Sequence, residues 1–176
     1  MIVALLTYFV LVITLASCVS DVQRLRIPNS HVIAVLAAFV VAYAVSPSSF
    51  GDVWWYPFAA GAVFLVVTYV MFVYRLLGAG DAKMGAALAL WVGLQGLMPY
   101  LMFMAIAGGI VGAASLLIKK SKPFKTPRAG GWIATVQSGG NAVPYGIAIT
   151  VGAWGAMFHN RSEERRVGKE CRSRWS

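Results

Sequence analysis

Carboxylates are scarce in this chain of 176 residues: six Asp and Glu stand against fifteen Lys and Arg. Three of the six fall in the last sixteen residues, so positions 1–160 hold only Asp21, Asp52 and Asp81. Cysteine is nearly absent too. Cys18 and Cys171 cannot build a disulfide framework or a Cys-x-x-Cys zinc pair. The two histidines, His31 and His159, have no partner ligands in the pattern, so no metal or other cofactor is expected. Charged residues amount to 12% and hydrophobic residues to 59%. That balance excludes an ordinary soluble domain and fits a one-domain polytopic membrane protein.

Six apolar runs approach the ~20 residues that cross a bilayer. They cover about 2–20, 30–46, 58–76, 82–97, 99–118 and 142–158. The expected fold is therefore an all-α integral membrane protein of six transmembrane helices with short connections. Leu15-Ala16-Ser17-Cys18 has the form of a lipoprotein cleavage box, but no basic n-region precedes it, so the first run reads as a retained helix.

Composition flips at Arg161. Residues 161–176 resemble, residue for residue, the translation of a common short-read sequencing adapter. The expected organisation is thus a membrane domain over 1–160 and an adapter-derived tail over 161–176, with the natural C-terminus altered.

Nine basic residues remain outside that tail: Arg24, Arg26, Arg75, Lys83, Lys119, Lys120, Lys122, Lys125 and Arg128. All fall in the first, third and fifth connections. The second holds Asp52 and no base. The positive-inside rule then puts the odd connections in the cytoplasm and the N-terminus outside. Trp54, Trp55 and Tyr56 read as an outer aromatic belt. Bases beside apolar runs point to anionic membrane lipid as a partner, and not to nucleic acid. The Gly-rich stretch 130–140 reads as a candidate gate, and Gly108 with Gly112 as a close helix contact.

An ionisable residue at membrane depth costs roughly 2.5–3.5 kcal/mol at a helix centre, which makes Asp21 and Asp81 the functional candidates. Asp21 precedes Val22-Gln23-Arg24-Leu25-Arg26-Ile27-Pro28-Asn29 at the inner end of the first run. Pro28 suits the first turn of the next helix, with Asn29 or Ser30 as its cap. Asp81 follows Gly78-Ala79-Gly80 and precedes Ala82-Lys83. The two glycines permit positive φ and close backbone approach. On the inferred topology both aspartates meet at one membrane face. Two neighbouring carboxyls do not readily both ionise, so one keeps a proton and the pair can act as general acid and base on a peptide bond. Asp81 at a helix start favours the ionised form, and Asp21 at a helix end disfavours it, which suggests Asp81 as base and Asp21 as acid.

These two motifs together resemble the type IV prepilin peptidases, most closely the short form of tight-adherence and Flp pilus systems. The carrying residues are Asp21 with Ile27-Pro28-Asn29, then Gly78-Ala79-Gly80-Asp81-Ala82-Lys83, then Val143-Pro144-Tyr145-Gly146 opening the last run. The resemblance implies an aspartic endopeptidase of the GxGD type in the bacterial inner membrane. Asp21 and Asp81 would be catalytic. Gly78, Gly80 and Lys83 would shape the site, and Pro144, Tyr145 and Gly146 would contact substrate. It implies removal of the leader from a prepilin at the cytoplasmic face, with the pilus assembly machinery as a further partner. The cytoplasmic cysteine-containing region of the long bifunctional members is absent, so N-methyltransferase activity is not expected. Two rival readings use the same aspartates: a small ion-coupled carrier, and another Gly-x-Gly-Asp intramembrane protease.

Overall fold

The computed structural model describes residues 1–51, 53–74, 77–121, 130–140 and 143–173, with side chains as far as residue 159. The described chain is helical, in the order α1 (Ile2–Arg24), α2 (Asn29–Val45), a 3-10 turn (Pro47–Phe50), α3 (Tyr56–Val73), α4 (Ala79–Ser121), α5 (Trp132–Gln137) and α6 (Tyr145–Ser173). Three helices are long and apolar enough to cross a membrane by length and composition: α1, α3 and α4. α2 is equally apolar but has 17 residues.

α4 is two helices in one. Gly93 has φ 69° and ψ 176°, a conformation essentially reserved for glycine, and it divides α4 into 79–92 and 94–121. The Tyr100 hydroxyl donates to the Gly85 carbonyl at 3.3 Å. In a straight helix fifteen residues span about 22 Å, so the halves fold back on each other as a hairpin. The apolar runs place this break between 97 and 99, next to Pro99. Instead Pro99 sits inside the second half, and the only glycine of α4 with positive φ makes the turn.

Other boundaries shift as well. α1 continues through Asp21 to Arg24, so the aspartate lies within its last turn. Leu25 then takes the left-handed conformation at φ 51° and stops the helix. Pro28 is the N-cap of α2, in extended conformation and without a side-chain cap, and Asn29 is the first helical residue. Neither Asn29 nor Ser30 therefore caps that helix. α6 runs past the expected end of the last apolar segment, into the tail.

Glycine lets these helices approach closely. A methyl on Gly85 would strike the ring of Phe64, and one on Gly61 would lie 2.7 Å from Leu90 Cδ2. On the other side of the hairpin, Gly152 faces Tyr100 and Met104, and Gly155 faces Phe103. Phe64 stacks on the fully buried Tyr100 with ring centroids 5.1 Å apart. The Trp91 indole donates to the Val35 carbonyl at 3.1 Å, tying the first half of α4 to α2. Gly108 packs near α6, where a methyl on it would lie 3.6 Å from Ala148 Cβ, whereas Gly112 faces open space.

Chain reversals sort the ends of the helices. The 3-10 turn meets Gly93 at one end, where the Phe50 carbonyl lies 3.5 Å from a methyl placed on Gly93. Asp21, Gly78, Asp81 and the start of α6 gather at the other. Lys119 and Lys120, at the close of the hairpin's returning arm, share that second end. Trp54 and Trp55 are exposed toward the first end. The stretch considered as a gate contains α5, which is docked: the Trp132 indole donates to Ser115 Oγ at 3.1 Å and Val136 is buried. Asp52, Arg75, Lys122, Lys125 and Arg128 lie outside the described residues.

Candidate active site

The Gly78–Asp81 motif builds a helix start around its own carboxyl. The Gly78 carbonyl accepts the Ala82 N–H at 3.1 Å, which makes Gly78 the N-cap of α4. Asp81 is three residues on and accepts a hydrogen bond from the Gly78 backbone. That is half of a capping box. Neither Gly78 nor Gly80 has positive φ; Gly78 serves close approach, whereas Gly80 has room for a methyl. A methyl on Gly78 would lie 2.7 Å from Asp81 Oδ2, and one on Gly80 would lie 3.4 Å from both Cβ and the carbonyl oxygen of Ile27. Asp81 Oδ1 is buried and has no hydrogen-bond partner among the described residues.

Asp21 is presented from the last turn of α1 and is 4% exposed. Its Oδ2 accepts the Gly146 N–H at 2.8 Å. Gly146 belongs to the first turn of α6, which starts at Tyr145. Both aspartates thus lie against helix N-termini, Asp81 on its own and Asp21 on that of α6. The asymmetry read from each residue's own helix is therefore removed, because α6 supplies the positive end that α1 does not.

The two carboxyls border one cavity of about 940 Å3 and are close enough for their charges to interact. Arg24, Arg26 and Lys83 also line it. Ser20 Oγ donates to the Arg26 carbonyl at 3.0 Å and holds the loop after Leu25. Gly78 and Gly80 line the cavity as well. Pro144, Tyr145 and Gly146 do not; Pro144 and Gly146 are buried, and Gly146 lies against Asp21.

Further residues near the site were not singled out in the sequence. The Thr150 hydroxyl lies 2.8 Å from the Gly146 carbonyl and 3.3 Å from the Thr14 carbonyl. The Trp154 indole donates to Thr14 Oγ1 at 3.0 Å. Ser17 Oγ is 2.9 Å from His31 Nδ1, which gives His31 a structural partner on α1. A signal was present: Thr14, Ser17, Cys18 and Asp21 follow the i, i+3, i+4, i+7 spacing of one helix face, a polar stripe on an apolar helix.

A pair of carboxyls on one cavity at the end of an apolar bundle has the groups that general acid–base chemistry requires. The family model that matches the chain is that of the type IV leader peptidase family, over residues 8–113. The chain belongs to this family. The matched stretch runs from α1 into the returning arm of α4 and includes both aspartates; α5, α6 and Pro144-Tyr145-Gly146 lie beyond it. No curated protein and no solved structure matches the chain.

Proposed function

We propose that this leader peptidase family member is a membrane-embedded aspartic endopeptidase that removes the leader from type IV or Flp prepilins. The observation that carries the reading is the convergence of Asp21 and Asp81 on one cavity. The ionised carboxyl takes a proton from a water as its oxygen attacks the scissile carbonyl carbon. The protonated carboxyl gives its proton to the carbonyl oxygen, forming a tetrahedral diol. Collapse of the diol breaks the C–N bond; the leaving nitrogen takes one proton and the other returns to the pair. The chemistry uses no metal, no other cofactor and no nucleophilic side chain.

Orientation follows from charge. Arg24, Arg26, Lys83, Lys119 and Lys120 share the end of the bundle that carries the carboxyls, and the opposite end carries Trp54 and Trp55. The positive-inside rule assigns the carboxyl end to the cytoplasm and the N-terminus to the outside of the inner membrane, with the α4 hairpin making six crossings in all. The same bases suit anionic lipid headgroups. Gly78, Gly80 and Lys83 shape the cavity. Pilus assembly proteins are the expected functional neighbours, N-methyltransferase activity is not part of this reading, and residues 161–176 are an adapter-derived addition. Co-expression with a candidate Flp prepilin tests the proposal. The prepilin shifts to the size of the leaderless form with the wild-type chain. An unshifted prepilin, with both proteins present in the membrane, contradicts it.

A further inference from the structure

Gly146 lies against Asp21 and does not line the cavity. Its N–H is one of the donors that a helix N-terminus leaves unpaired, and Asp21 Oδ2 is its partner. The approach leaves no room for a side chain: a methyl at 146 would lie 2.8 Å from Oδ2, 2.9 Å from Cβ and 3.2 Å from Cγ of Asp21. One turn further along α6, the Thr150 hydroxyl links the Gly146 carbonyl to the Thr14 carbonyl of α1. One more turn along, the Trp154 indole reaches Thr14 Oγ1. Thr14 and Thr150 are both buried, at 1% and 8% exposure. Residues 146, 150 and 154 thus form one edge of α6, and 14 and 21, two turns apart, form the facing edge of α1. Hydrogen bonds at both ends of this seam fix the translation and the rotation of α6 against α1. Few other polar contacts hold α1 in place, since its remaining surface is mostly exposed and apolar.

We propose that Gly146 is a positioning residue: its N–H, held in place by the Thr14–Thr150–Trp154 seam, fixes Asp21 Oδ2 so that the other oxygen is aimed at the water in the cavity. The assignment rests on the peptidase reading above and deepens it. It gives the Pro144-Tyr145-Gly146 segment a role through Asp21, in place of the substrate contact that the family resemblance implies.

The test is leader removal from a purified prepilin by detergent-solubilised enzyme, with kcat and KM measured separately for wild type, Gly146→Ala, Thr150→Val and Thr150→Ser. Gly146→Ala lowers kcat by roughly 100-fold with KM unchanged, the loss expected when a reacting group is displaced by about 1 Å. Thr150→Val keeps the shape of threonine and lowers kcat; Thr150→Ser keeps the hydroxyl and restores it. Wild-type kcat in Gly146→Ala overturns the proposal. So does a defect confined to KM, which marks a substrate contact. Should Gly146→Ala fail to accumulate, the Thr150 pair decides: valine equal to wild type, or serine as impaired as valine, overturns the seam. Failure of the wild-type enzyme to cleave any prepilin would instead remove the peptidase reading, and is separable from these outcomes.

Discussion

The two glycines of the Gly78-Ala79-Gly80-Asp81 motif are not equivalent, and an alanine at each separates site geometry from folding. At position 78 the new methyl lies 2.7 Å from Asp81 Oδ2. A close C···O contact needs about 3.3 Å, so the carboxyl must move by about 0.6 Å. The atom in the way is the far end of a short side chain that can rotate, so the cost to folding is small. The cost to chemistry is larger, because a 1 Å misplacement of a reacting group is worth about 100-fold. A 0.6 Å displacement predicts a loss of at least about tenfold in cleavage rate with normal membrane abundance. At position 80 the methyl makes ordinary 3.4 Å contacts with Ile27. It also gains helix propensity, up to about 1 kcal/mol for alanine over glycine. Gly80→Ala is therefore expected to cleave at nearly the wild-type rate. The assay is a time course of prepilin processing in membranes normalised to enzyme abundance. Gly78→Ala cleaving like wild type, or Gly80→Ala failing as badly as Gly78→Ala, would refute the reasoning from these distances.

Three further outcomes are expected. Gly93→Ala forces an L-residue into a glycine-only conformation, so it destabilises the hairpin by about 1–3 kcal/mol, read as a lower unfolding temperature in detergent; an unchanged temperature contradicts the turn. Truncation after Asn160 leaves insertion and cleavage intact, and a reproducible loss at equal abundance would show the tail to be functional. In a tail-less Cys18→Ser background, cysteines beside Asp21 and Asp81 resist an impermeant thiol reagent in intact cells and react after lysis, while one beside Asp52 reacts in intact cells. Labelling of the first two on opposite sides of the membrane would separate the carboxyls.

Much of the helical layout was legible because apolar runs and turn residues are local signals. α2 came within one residue of its expected bounds, and α3 within three. The break inside α4 was displaced because Pro99 and Gly93 are both plausible breakers in sequence. The backbone of Gly93, at φ 69°, shows which one turns the chain, while Pro99 stays within the returning helix. The two aspartates stood out because charge is so rare here. Gly146 was named through the Pro-Tyr-Gly motif but not as the partner of Asp21: it is 125 positions away, and its donor is a backbone N–H that no residue type advertises. Thr14 and Trp154 form a cross-helix pair of a kind a single sequence leaves unpaired. The argument for an acid–base asymmetry was incomplete for the same reason, since it used each aspartate's own helix and left out α6.

The most direct test of the central claim is processing of a co-expressed prepilin by Asp21→Asn and Asp81→Asn, each at wild-type membrane abundance. Asparagine keeps the shape and removes the proton chemistry, and one carboxyl cannot serve as both acid and base. The account predicts that each single variant leaves the prepilin unprocessed while the wild type converts it. Near-wild-type processing by either variant would contradict an active site built on the pair.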